Sequence, residues 1–100
     1  MYGRQSDEQA VKWAKQIKER DNYVCQLCFA YGVSLHSHHL NSWDLFVEQR
    51  YVLANGITLC SDCHERFHSI YGNGKNTAYQ FQQYKKSYDL MKQAFKLSLK

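Results

Sequence analysis

Residues 60–68 read CSDCHERFH, and this stretch satisfies two metal patterns at once. Cys60-Ser-Asp-Cys63 has the spacing of a pair of zinc-binding thiolates, while His64-Glu-Arg-Phe-His68 also spells the HExxH string of zinc proteases. The chain has a second cysteine pair of the same spacing, Cys25 and Cys28. Two such pairs complete the donor set of a closed tetrahedral site, so a structural zinc held by Cys25, Cys28, Cys60 and Cys63 is expected. The rival use of four cysteines, two disulfides in any of three pairings, belongs to an oxidising compartment. The opening residues MYGRQSDEQA contain no apolar signal core, which points to the cytoplasm, reduced thiols and metal. A redox role for either pair would need a βαβ setting that the pattern lacks.

The stretch sits in a chain of 100 residues, 44% hydrophobic and 15% aromatic, which fits one soluble domain spanning 1–100. A core this small needs a staple, and zinc supplies one. No apolar run approaches the length of a membrane span. The net charge of +4 is uneven: residues 1–65 carry six Lys or Arg against eight Asp or Glu, residues 66–100 seven against one. A basic C-terminal block suits a polyanion partner, although a solvated lysine-rich helix face fits the charge equally well.

Outward from the quoted stretch, a helix is expected from Asp62 to about Tyr71, and Gly72-Asn-Gly-Lys-Asn-Thr77 breaks it, with Thr77 as the cap of a basic C-terminal helix over about 77–98. Phe81, Tyr84, Tyr88, Met91 and Phe95 form an a/d seam along that helix, to dock it on its own domain or, as the alternative, to pair two chains in a homodimer. On the other side, Ile57-Thr-Leu59 reads as a strand delivering Cys60, with Asn55-Gly56 as a turn dipeptide before it. Val33 to Leu40 reads as a second, antiparallel strand. Residues 41–50 read as a loop or irregular helix. A first helix is expected over about 7–20, capped by Ser6 and facing inward through Ala10, Val11, Ala14 and Ile17.

All five histidines fall between 36 and 68. His64 and His68, four apart on a helix, point to one side and can share a cation. His38 and His39 are neighbours, so a regular strand sends them to opposite faces; both serve one site only where the strand ends or bends. His36 shares a face with His38 and is the fallback ligand, though an ordinary surface role suits it better.

Taken together, Arg20-Asp-x-Tyr-x-Cys25-x2-Cys28, then His38-His39, then Asn55-Gly-Ile-Thr-Leu-Cys60-x2-Cys63-His64, then Phe67-His68, resemble the zinc-stabilised HNH endonucleases over roughly residues 20–84. The segment His68-x2-Tyr-Gly-x-Gly-x-Asn-Thr is similar to small phage and homing-type members, whose setting would be the host cytoplasm. The resemblance implies an α+β fold: a ββα-metal core at about 20–76 with two short antiparallel strands, a structural zinc and flanking helices. It implies His38 and His64 as ligands of a catalytic cation, His68 as a further ligand or phosphate holder, His39 as general base, and Asn55 as the residue that holds the loop and orients the base. It also implies Mg2+ or Mn2+ as the catalytic ion, whereas imidazole donors also suit Ni2+, Co2+ or Zn2+. A proline often follows the histidine pair in this family; here Leu40-Asn41 stands there.

The expected activity is hydrolysis of DNA to 5′-phosphate and 3′-hydroxyl ends, as nicking with weak sequence preference, since no separate recognition module is present. Arg66, Lys75, Lys85 and Lys86 are the expected phosphate contacts. A zinc-stabilised DNA-binding module without cleavage is the main alternative. A metalloprotease is remote, because beyond His68 the chain has no histidine or glutamate to complete an HExxH site.

Overall fold

The first helix begins at an aspartate: the Asp7 carboxylate accepts the N–H groups of Gln9 (2.9 Å) and Ala10 (3.2 Å), two of the donors a helix start leaves unpaired. The computed structural model describes residues 7–98, so Ser6, the expected cap, lies outside them and Asp7 does this work. Among the described residues three helices and two strands follow one another: α1 (Glu8–Arg20), β1 (Leu35–His39), β2 (Gly56–Cys60), α2 (Ser61–Tyr71) and α3 (Ala78–Ser98). This is the expected α+β, ββα arrangement. Two single-turn 3-10 helices, Val47–Gln49 and Leu53–Asn55, shape the long loop between the strands.

β1 and β2 pair antiparallel, Leu35 opposite Cys60 and His39 opposite Gly56. The two-residue alternation then sorts the side chains. Ser37, His39, Gly56 and Thr58 face α1; His36, His38, Ile57 and Leu59 face α2. The Ser37 hydroxyl donates to the Ala14 carbonyl of α1 (2.6 Å), and His38 packs edge-on against Phe67 of α2, ring centroids 4.7 Å apart. The buried face of α1 is Ala10, Trp13 and Ile17, not Val11, which is 53% exposed. Counting aliphatic residues alone missed Trp13, whose indole N–H donates to the Val52 carbonyl (2.9 Å).

The end of α1 is bolted to β2. Arg20 donates to the carbonyls of Leu53 (2.9 Å) and Gly56 (2.8 Å) and grips the Asp21 carboxylate (2.9 and 3.0 Å), which in turn accepts the Thr58 N–H (3.0 Å). Burial works against the charged form of Asp21, but Arg20 and the Thr58 N–H outweigh it and hold its carboxyl below the usual range.

Asn55-Gly56 is not the expected turn dipeptide. Asn55 closes a 3-10 turn and Gly56, at φ −131°, already has extended strand geometry. Glycine is required there by close approach: a Cβ would lie 2.5 Å from Ile17 Cδ1, 2.8 Å from Ile17 Cγ1, and against Trp13 Cζ2. Gly56→Ala should therefore destabilise the fold by about 1–3 kcal/mol, the usual cost of forcing a methyl into a packed site. Denaturant titration of the zinc-loaded protein checks this; an unchanged midpoint would mean that α1 does not press on β2.

Thr77 caps α3 as expected, its hydroxyl accepting the Gln80 N–H (3.2 Å) while Gln80 Oε1 accepts the Thr77 N–H (3.1 Å), a reciprocal capping box. Phe81 and Tyr84 are buried against Phe67 and Leu59. The seam docks only over its first half, since Met91 and Phe95 are 57% and 65% exposed. No helix of the described residues is long and apolar enough to cross a membrane.

Candidate active site

The cysteines converge from two local structures. Cys25 and Cys28 lie on a tight knuckle in which Cys25 accepts from Phe29 and donates to Ala30 through its backbone (2.9 Å each), with Phe29 at φ +65°. Cys60 ends β2 and caps α2 through its sulfur, which accepts the Cys63 N–H at 3.5 Å; the Cys28 N–H does the same to Cys25 Sγ, also at 3.5 Å. All four sulfurs lie within 4.8 Å of one another as free thiols. Burial pushes the Cys25 thiol up, yet the backbone N–H groups of Cys28, Cys60 and Leu27 bring it down to about 7. Cys63 is pushed up, first by burial and then by the sulfurs around it. Such a crowd ionises fully only around a cation, so the donor set fits a structural metal: the four cysteines form a zinc-type site.

A second donor cluster lies on the α2 face of the sheet. Ring nitrogens of His38, His64 and His68 also lie within 4.8 Å of one another. His68 Nδ1–H donates to the Gly72 carbonyl (2.7 Å), which leaves the lone pair on Nε2, and that atom faces His64 Nε2 at 3.1 Å. A ring N–H tied to a carbonyl, as in His68, is the kind of outer support that fixes the orientation of a metal-binding imidazole. His38 is 3% exposed, and its ring lies 5.4 Å from those of both His64 and His68. The three residues therefore fit a single divalent cation. His36 stands beside this group, stacked on His64 at 4.8 Å with its Nε2 bonded to Ser61 (3.0 Å).

His39 is the last residue of β1, on the opposite face, yet the strand ends there and both His38 and His39 line one cleft of about 480 Å3. Its ring lies flat on Trp13, centroids 3.8 Å and planes 11° apart, with the edge of Trp43 at 5.6 Å. Nε2 lies 2.9 Å from the Arg50 carbonyl, an acceptor only, so Nε2 carries the proton and Nδ1 the lone pair. Asn55, 5% exposed, binds the chain just past His39: its Oδ1 accepts the Asn41 N–H and its Nδ2 donates to the Asn41 carbonyl, both at 2.9 Å. Leu40 N–H bonds the Asn55 carbonyl (2.9 Å). This clamp gives the strand a fixed exit at Leu40-Asn41 in a chain that has no proline.

Comparison with known families matches residues 24–69 to the model of the HNH endonucleases. Over that stretch the chain is similar to the HNH endonucleases, as the sequence motifs implied. No match is found among curated proteins or among solved structures. The matched stretch contains the four-cysteine site, His38, His39, Asn55, His64 and His68, while α1 and α3 lie outside it.

Arg66, Lys75, Lys85 and Lys86, the expected phosphate contacts, are not among the residues lining the histidine cleft. Arg66 lies beside the cysteine site with Tyr88; Lys85 and Lys86 lie on an outer face of α3 with Lys92 and Lys96, and Lys85 pairs with Asp89 at 3.0 Å. Lys75 sits in the loop before α3, its N–H bonded to Asp44. The lysine that lines the histidine cleft is Lys18 of α1. Sequence reasoning also missed Trp13, Trp43, Arg50 and Asn41 around His39. A Trp or Arg inside a loop or on a helix gives no local sign that it will pack on a histidine elsewhere, so only the tertiary contact reveals them.

Proposed function

We propose that this HNH-like domain is a metal-dependent DNA endonuclease that nicks one strand, with weak sequence preference, to leave 5′-phosphate and 3′-hydroxyl ends. The observation that carries this reading is the meeting, at the end of β1, of three imidazoles fit for one cation and a fourth whose Nε2–H is committed to a carbonyl. His38, His64 and His68 would hold the divalent ion, Mg2+ or Mn2+ by family resemblance. When bound, that ion supplies Lewis-acid stabilisation of the charge gathering on the phosphoryl oxygens and the departing 3′ oxygen. His39 acts as general base: Nδ1 accepts a proton from the attacking water while Nε2 keeps its bond to Arg50. Trp13 keeps the ring from turning. Asn55 holds the backbone that carries the base, and Lys18 with the outlying Arg66, Lys75, Lys85 and Lys86 attracts the phosphate backbone.

Supercoiled plasmid incubated with the zinc-loaded protein and Mn2+ should pass to the open circular form, and more slowly as salt rises. Glu65, exposed on α2 and no part of the cleft that holds His39, separates the protease reading: Glu65→Gln should nick at the wild-type rate. If plasmid is bound but stays intact with Mg2+, Mn2+ and Ni2+ alike, the domain is a binding module and the nuclease reading fails.

A further inference from the structure

The bond from His39 Nε2 to the Arg50 carbonyl orients the ring only as firmly as that carbonyl is held. Arg50 itself is tied at its side chain, donating to the Trp43 carbonyl at 2.9 Å with its guanidinium 4.5 Å over the Trp43 ring. Gln49, directly before it, is held twice: its carbonyl accepts Asn55 Nδ2 (3.2 Å) and its Oε1 accepts Asn41 Nδ2 (3.0 Å). The other end of the Asn41 amide, Oδ1, accepts the N–H of Ala78, the first residue of α3, at 2.7 Å. The polarity of this amide is determined. A backbone N–H can only donate, so Oδ1 must face Ala78 and Nδ2 must face Gln49. Asn41 is thus a three-way joint. Its backbone is clamped by Asn55, and its side chain ties the Gln49–Arg50 segment behind the base to the start of a helix outside the matched family core.

We propose that Asn41 is a positioning residue: through Gln49 it sets the Arg50 carbonyl that orients His39, and through Ala78 it makes that setting depend on where the basic helix α3 lies. The inference rests on the endonuclease reading above. Its physical content is that a polyanion drawn to Lys85 and Lys86 on α3 bears, through one amide, on the segment behind the base. A residue that merely capped α3 would serve equally well without touching Gln49.

Three variants separate these roles. Asn41→Ala removes both bonds. Gln49→Leu removes the link to the base and leaves the cap on Ala78. Asn41→Asp keeps the acceptor for Ala78 and regains the link once the Gln49 amide turns over to donate. Plasmid nicking by the full zinc-loaded chain should show kcat reduced about tenfold or more in Asn41→Ala and Gln49→Leu, with KM altered less than about twofold, and restored in Asn41→Asp. Nitrogen NMR of histidine-labelled protein gives a readout independent of cleavage: His39 should be the Nε2–H tautomer in the wild type and Asn41→Asp, and a tautomer mixture in the other two. A wild-type kcat with an unchanged tautomer in Gln49→Leu overturns the proposal, and Gln49→Leu decides the matter even if Asn41→Ala fails to fold. Should the wild type itself not cut, the endonuclease reading fails, while the tautomer comparison still accepts or rejects the joint.

Discussion

Alanine in place of His39 should lower the nicking rate by a factor of about 10²–10⁴, the range that a positioned general base contributes, while leaving DNA binding in place. The ring is nearly buried and stacked on Trp13, so its removal also opens a small void. The melting profile of the zinc-loaded variant therefore has to be taken alongside the rate. A loss of rate with the fold intact identifies His39 as the base; full activity in His39→Ala removes it from the mechanism. Substituting His64 instead should abolish the dependence on added Mn2+ together with the activity, because His64 faces His68 at 3.1 Å in the cluster that would hold the ion.

Replacing Cys63 with serine, or stripping the metal from the cysteines with a strong chelator, should unfold the domain. Cys25, Cys60 and Cys63 are buried members of the main core together with Leu59, Phe67, Phe81 and Tyr84. A structural zinc contributes on the order of 10 kcal/mol, comparable with the whole stability of a small domain. Without it, four crowded thiols are left in the core, and the link between the Cys25–Cys28 knuckle and the start of α2 is lost. Circular dichroism with metal analysis checks this: helix signal and about one zinc per chain should disappear together. A weak chelator should behave differently, stopping the nicking by competing for the open histidine site while the helix signal stays. Retention of helix after complete removal of zinc would show that the apolar contacts suffice alone.

Much of the site was legible because its chemistry is written in local spacing. The two cysteine pairs need only a tight knuckle and a helix start, and His64 and His68 need only one turn of helix, so the chain's short-range geometry already brings each pair together. The two-residue period of β1 likewise correctly separated His38 from His39, and the end of the strand after His39 lets both line one cleft. What was not legible depends on packing between distant segments. Gly56 looked like half of a turn signal, yet it is demanded by Trp13 and Ile17 pressing on β2. Val11 looked inward by hydrophobicity, but the phase of α1 is set by Trp13, whose indole both reaches the Val52 carbonyl and covers His39. Charge counting marked Lys85 and Lys86 and overlooked Lys18, because it cannot tell that this face of α3 takes no part in the histidine cleft and that α1 borders it.

The claim on which the mechanism stands is that His38, His64 and His68 share one ion distinct from the metal of the cysteines. Anomalous scattering from crystals of the zinc-loaded protein grown with Mn2+, recorded on either side of the manganese edge, tests it directly. The account predicts a manganese peak bonded to ring nitrogens of all three histidines, beside His39 and apart from a zinc peak among the four sulfurs. Well-ordered rings with no manganese between them, or a peak that leaves His38 out, would contradict it.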